Sequence, residues 1–119
     1  MKKFAMLLAV VMVAVFSASV IVAADAPEKA TIKEVQKSKP AVTFNHKAHA
    51  DQIKNCAECH HKDAAGKEQN CFNCHKAEKK GDAVSLKDAM HTKCKGCHQK
   101  LKEAKKPTGP TACDGCHKK

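Results

Sequence analysis

The 119-residue sequence has no tryptophan, no tyrosine and no arginine, and only four phenylalanines. It therefore lacks the large aromatic side chains that dominate most protein cores. Beyond residue 24 the shortage extends to aliphatics. The large apolar residues there are Ile32, Val35, Val42, Phe44, Ile53, Phe72, Val84, Leu86, Met90 and Leu101, ten in 95 positions. A domain of that size normally buries several times as many, so these side chains cannot build an ordinary hydrophobic core. Such a chain is disordered, stapled by disulfides or metal, or folded around an apolar group that it does not encode. The missing arginines and stacking aromatics also argue against a nucleic-acid partner, despite 22 lysines against 12 acids.

The one long apolar run lies at the N-terminus. Lys2 and Lys3 precede an apolar stretch from Phe4 to Phe16, and Val22-Ala23-Ala24 supplies small residues before Asp25. A membrane anchor of this length is conceivable, but the small-residue exit and the acidic, proline-containing continuation favour a cleaved signal peptide. The expected organisation is a signal peptide over 1–24 and one domain over 25–119. Cleavage leaves 20 lysines against 12 acids, a net charge of +8. The expected location is a bacterial periplasm. The mature chain is expected to be a monomer, without stable membrane insertion and without nucleic acid. Its lysines either form a solvated surface or balance bound anionic groups and steer an acidic protein partner.

Local patterns predict short elements joined by many loops. Thr31–Val35 and Ala41–Phe44 read as strands of a small hairpin connected through Ser38-Lys39-Pro40. Residues 47–54 read as a short helix. Polar loops cover 63–70 and 78–82, with Gly66 and Gly81. Ser85 reads as an N-cap, with Asp88 three residues on, for a helix through His91. Residues 94–106 are the best helical stretch, ended by Pro107-Thr108-Gly109-Pro110.

The organising feature is a repeat. Cys56-Ala57-Glu58-Cys59-His60, Cys71-Phe72-Asn73-Cys74-His75, Cys94-Lys95-Gly96-Cys97-His98 and Cys113-Asp114-Gly115-Cys116-His117 use all eight cysteines. Four coincidental histidines at that position have a probability on the order of 10⁻⁵ from composition. This is the pattern of c-type haem attachment, written four times. Two sulfurs one helical turn apart can reach two vinyl groups on one edge of the porphyrin, and the next residue then lies beneath the ring. Four disulfides would leave the four histidines unexplained. Zinc sites do not require histidine there, and a thioredoxin-like motif needs one such pair in an α/β fold.

The histidine count closes. His60, His75, His98 and His117 follow the cysteine pairs, and His46, His49, His61 and His91 remain. Four haems with two axial histidines each require eight. Met90 is the only methionine beyond residue 24 and directly precedes His91, so it reads as a packing side chain rather than a ligand. His61 adjoins His60, and neighbours cannot reach one iron from opposite faces of a porphyrin. His61 must serve a second haem, which brings two haems close together. His46 and His49, three apart on a helical turn, must also diverge to separate irons.

Phe44-Asn45-His46-Lys47-Ala48-His49, followed by Cys56-x-x-Cys59-His60-His61, resembles the N-terminal signature of class III multihaem cytochromes, the tetrahaem cytochrome c3 family. Ala89-Met90-His91 resembles a later ligand segment of that family. The resemblance implies axial pairs of His46 with His60, His61 with His75, His49 with His98, and His91 with His117, on the first to fourth haems. Family members often space the second and fourth cysteine pairs more widely than here. The ending from Gly109 to Lys119 is similar to the trihaem cytochromes c7, which lack the second haem, whereas Cys71, Cys74, His75 and His61 are all present in this chain. The fold class expected is a small, mainly helical and irregular multihaem cytochrome. A short N-terminal hairpin and few helices would wrap around four covalent haem c groups.

Two histidines on every iron leave no open coordination site. The expected function is a low-potential periplasmic electron carrier of anaerobic respiration, and not an enzyme. The resemblance implies redox partners such as periplasmic hydrogenase or membrane-bound electron-transfer complexes. The alternative is a small multihaem reductase of metal or sulfur species, which would need a vacated axial site or outer-sphere transfer at an exposed haem edge.

Overall fold

Capping residues and turns, rather than apolar packing, delimit the elements of this chain. The computed structural model describes residues 26–35 and 37–119, and the expected signal peptide lies outside them. Strand β1 (Ala30–Ile32) pairs antiparallel with β2 (Val42–Phe44), with Thr31 opposite Thr43. The alternation turns Ala30, Ile32, Val42 and Phe44 to the more buried face, and the threonines outward. The expected continuation of β1 to Val35 does not form. The Lys33 N–H donates to the Glu34 carboxylate at 2.9 Å, and Glu34–Val35 turns away from the ladder.

Helix α1 (His46–Ile53) begins one residue earlier than its sequence suggests, because the Asn45 side chain accepts from the Ala48 N–H at 3.2 Å. Lys54 closes it in a left-handed conformation with φ 58°. A 3₁₀ turn forms at Cys56–Glu58 and another at Cys71–Asn73. The Ser85 cap forms as expected: its hydroxyl accepts from the Asp88 N–H at 3.1 Å and donates to the Asp88 carboxylate at 2.7 Å. It opens α2 (Leu86–Met90).

The two helices expected on either side of Thr92-Lys93 are one. Helix α2 runs through a π turn (His91–Lys95) straight into α3 (Gly96–Glu103). No breaker separates them. Seven residues of regular α-helix would put His91 and His98 on one face. A π turn rotates less per residue, which turns the two rings apart. The helix then stops short of the expected 106: Lys105 is left-handed at φ 55°, and Pro107 disfavours helix at the residue before it. The fourth cysteine pair forms the short helix α4 (Cys113–Cys116).

Among the described residues, Leu86 is the single buried hydrophobic side chain, at 1% exposure. Ile53 and Val84 are exposed, and the remaining large apolar residues are half-buried. Among the described residues, apolar side chains therefore do not form a packed core of their own.

Candidate haem sites

Three of the four attachment motifs close on themselves by the same bond. The N–H of His60 donates to the Cys56 carbonyl, that of His75 to Cys71, and that of His117 to Cys113, each at 2.8 Å. The third motif lies within the π-to-α helix. Asn55 and Asn70 open the first two motifs, their side chains accepting from the N–H of Ala57 and Phe72 at 3.2 and 2.9 Å. No disulfide joins any of the eight cysteines. Burial pushes the Cys94 thiol up to about 11. It also raises Cys59, with Lys93 pulling back, and Cys71.

The eight histidines meet in four pairs. Ring centroids are 6.1 Å apart for His46 and His60, 5.9 Å for His61 and His75, 6.2 Å for His49 and His98, and 6.4 Å for His91 and His117. These are the pairs that the family resemblance implies. A metal–imidazole bond is about 2 Å and the ring nitrogen lies about 1 Å from its centroid, so two trans ligands of one ion have centroids about 6 Å apart. The separations fit a single ion between each pair. Among the described residues no cluster of three or more His, Cys, Asp or Glu could hold a metal ion. Two protein ligands suffice only where something else supplies the equatorial donors, as a porphyrin does. Open clefts flank two of the motifs, one beside Cys97, Gly96 and Lys93 and another beside His117, Pro40 and Asp114.

Six of the histidines are held by their Nδ1 atoms. His46 meets the Pro27 carbonyl at 3.2 Å and His49 the Asn45 carbonyl at 2.7 Å. His75 meets that of Val84 at 2.9 Å. His98 and His117 meet those of Pro110 and Pro40, both at 2.7 Å. A carbonyl only accepts, so each Nδ1 carries the proton and each Nε2 keeps its lone pair for a metal. His60 differs: its Nδ1 faces the Asp63 carboxylate at 3.3 Å. The Gln69 N–H donates to that carboxylate at 2.9 Å and holds the Asp63 carboxyl below its usual range, with His60 adding to the effect. His61 and His91, both exposed, have no such partner among the described residues.

Two further contacts were not legible in the motifs. Phe44 packs against His49 at 4.5 Å and His46 at 5.7 Å between ring centroids, touching members of two pairs. Gly109 lies so close to His98 that a Cβ there would be 2.5 Å from the ring. The Thr108 hydroxyl also donates to the His98 carbonyl at 3.1 Å, so residues 108–110 clamp this histidine. The spacing His60-x-x-Asp63 and the asparagine before each of the first two motifs are the sequence signals that could have pointed to Asp63, Asn55 and Asn70.

The family model of class III cytochrome c matches residues 20–117. A cytochrome c3 of Maridesulfovibrio salexigens is 39% identical over 108 residues, covering 80% of this chain and 97% of its own. A cytochrome c7 of Geobacter metallireducens is 34% identical over 78 residues, covering 66% of this chain and 64% of its own, so the match spans less than two thirds of that relative. Among solved structures, the di-tetraheme cytochrome c3 of Desulfovibrio gigas superposes with a TM-score of 0.61 at 30% identity, covering 81% of this chain and all of that one.

Proposed function

Because the chain belongs to the class III cytochrome c family, we propose that it is an electron carrier holding four covalent haem c groups, each ligated by two histidines. The observation that carries this reading is the set of four imidazole pairs at 5.9–6.4 Å, each containing one histidine of a Cys-x-x-Cys-His motif. Cys56 and Cys59, Cys71 and Cys74, Cys94 and Cys97, and Cys113 and Cys116 provide the thioether sulfurs. A haem bound here supplies reversible one-electron iron chemistry.

The residues favour transfer over catalysis. Every motif histidine has a second imidazole opposite it, so no position is kept for a substrate at the metal. The carbonyls behind His46, His49, His75, His98 and His117 fix those rings, which limits ligand rearrangement on oxidation or reduction. His60 and His61 are consecutive yet face different partners, so the first two sites adjoin, as electron hopping requires.

Among the described residues no helix is long and apolar enough to cross a membrane. The N-terminal signal pattern supports a carrier exported to the periplasm. Its partners there are proposed to be redox proteins of anaerobic respiration, hydrogenase or membrane-bound complexes, that present acidic surfaces to its lysines.

Intact mass and visible spectrum of the exported protein test the reading together. The expected result is the mass of residues 25–119 plus four haems, with an all-low-spin ferric spectrum. Three haems, or a high-spin component in the unmutated protein, would overturn it.

A further inference from the structure

The four pairs are alike in ring separation but not in what stands behind the rings. Five of the six anchored histidines bond a neutral main-chain carbonyl. Among the described residues His60 alone faces a carboxylate, that of Asp63. That side chain is 14% exposed and His60 19%, so solvent does not screen the contact fully. Asp63 is also fixed independently of the histidine. Its Oδ2 accepts from the Gln69 N–H at 2.9 Å and its Oδ1 from the Gln69 side-chain amide at 3.3 Å. Among the described residues its sole ion-pair partner is His60, and no lysine neutralises it. Lys93, which reaches the first motif from another part of the chain, is instead engaged by Glu58 at 3.4 Å.

We infer that Asp63 is a positioning residue that gives the first haem the lowest reduction potential of the four, by setting a fixed carboxylate against the Nδ1 of His60. The inference rests on the four-haem reading above and adds an order to it. A carboxylate behind a ligating histidine makes the imidazole a stronger donor than a carbonyl does. A stronger donor and a nearby negative charge both favour ferric over ferrous iron, and second-shell bonding and burial are the protein's levers on haem potential. The other three sites have carbonyl partners or, at His61 and His91, none among the described residues. Electrons entering the protein therefore reach the first haem last and leave it first.

The step measured is the transfer of one electron from dithionite to ferric iron, giving ferrous iron with no covalent bond made or broken. The holoprotein is titrated with dithionite and each haem followed separately by its methyl resonances. In the unmutated protein the first haem should be the last reduced; reduction of any other haem after it overturns the inference without recourse to a variant. Asp63→Asn keeps the shape and an acceptor oxygen but removes the charge. At a fixed solution potential it should raise the reduced-to-oxidised ratio of the first haem about tenfold, equivalent to about 59 mV for a one-electron couple. Asp63→Glu should restore most of the ratio. Glu68→Gln removes an equal charge from the same loop, where its carboxylate bonds the Gly66 N–H at 3.0 Å rather than a histidine, and should change the ratio little. An unchanged ratio in Asp63→Asn, an equal rise at all four haems, or an equal effect of Glu68→Gln would each overturn the assignment. Mass and low-spin spectrum, recorded on the same samples, report on the four-haem reading separately.

Discussion

His61 and His75 face each other across 5.9 Å, while the residue bonded to His61, His60, faces His46 across 6.1 Å. One peptide bond therefore joins two separate sites. The link is short, covalent and independent of any packed interior, and the same logic runs through the molecule. His46 and His49 share α1 but pair with His60 and His98. His91 and His98 share a continuous helix but pair with His117 and His49.

The first prediction concerns ligation. His91 is exposed and its ring lacks an Nδ1 partner among the described residues. In His91→Ala, one haem of the four should become high-spin when oxidised and bind carbon monoxide when reduced, leaving the others closed. Absorption and magnetic circular dichroism would show this. Carbon monoxide binding by the unmutated protein at neutral pH would revive the reductase reading.

A second prediction concerns folding without haem. Leu86 is the lone buried hydrophobic side chain among the described residues, too little to offset the conformational entropy of ordering the chain. Chain produced without export and haem attachment should show little secondary structure by circular dichroism and be cleaved rapidly by protease. A compact, cooperatively melting apoprotein would contradict it.

Gly109 supplies a third. In Gly109→Ala the new methyl would press on the His98 ring at 2.5 Å, and overpacking of this kind costs about 1–3 kcal/mol. The resonances of the third haem should shift most, and the melting temperature of the holoprotein should fall. Equal shifts at all haems would point to a general loosening of the protein rather than pressure on His98.

The fourth prediction concerns docking. Lys95, Lys100, Lys102, Lys105, Lys106, Lys118 and Lys119 are exposed. Lys93 is tied to Glu58 and Asp114 to Lys39, which leaves Glu103 as the acid among them without an ion pair among the described residues. If this surface orients an acidic redox partner at the fourth haem, reduction by that partner should slow as salt rises toward and above 0.1 M, where the Debye length is about 10 Å. Charge reversal of Lys118 and Lys119 together should slow it more than reversal of Lys29 and Lys33. Equal effects of the two pairs would remove the fourth haem as entry point.

The motifs, the shortage of apolar residues and the hairpin were all legible in the sequence because each rests on local spacing. Ser85 with Asp88 is a three-residue relationship and formed as read. What escaped was set by partners distant in the chain or by backbone groups. The π turn at His91–Lys95 leaves no compositional trace, and it merges two helices that polarity alone separates. The carbonyl of Pro40 meets His117 from 77 residues away, and a carbonyl has no letter in a sequence. Asp63 was readable as part of a polar loop, but its place behind His60 depends on how the Gln69 N–H turns it inward.

Those carbonyl supports bear on how freely such a chain can change over generations. Every residue type carries a main-chain carbonyl, so the five histidines resting on Pro27, Asn45, Val84, Pro110 and Pro40 are held whatever side chain a mutation places there, provided the backbone path survives. Asp63 is the position where a single codon change would alter the chemistry of that support.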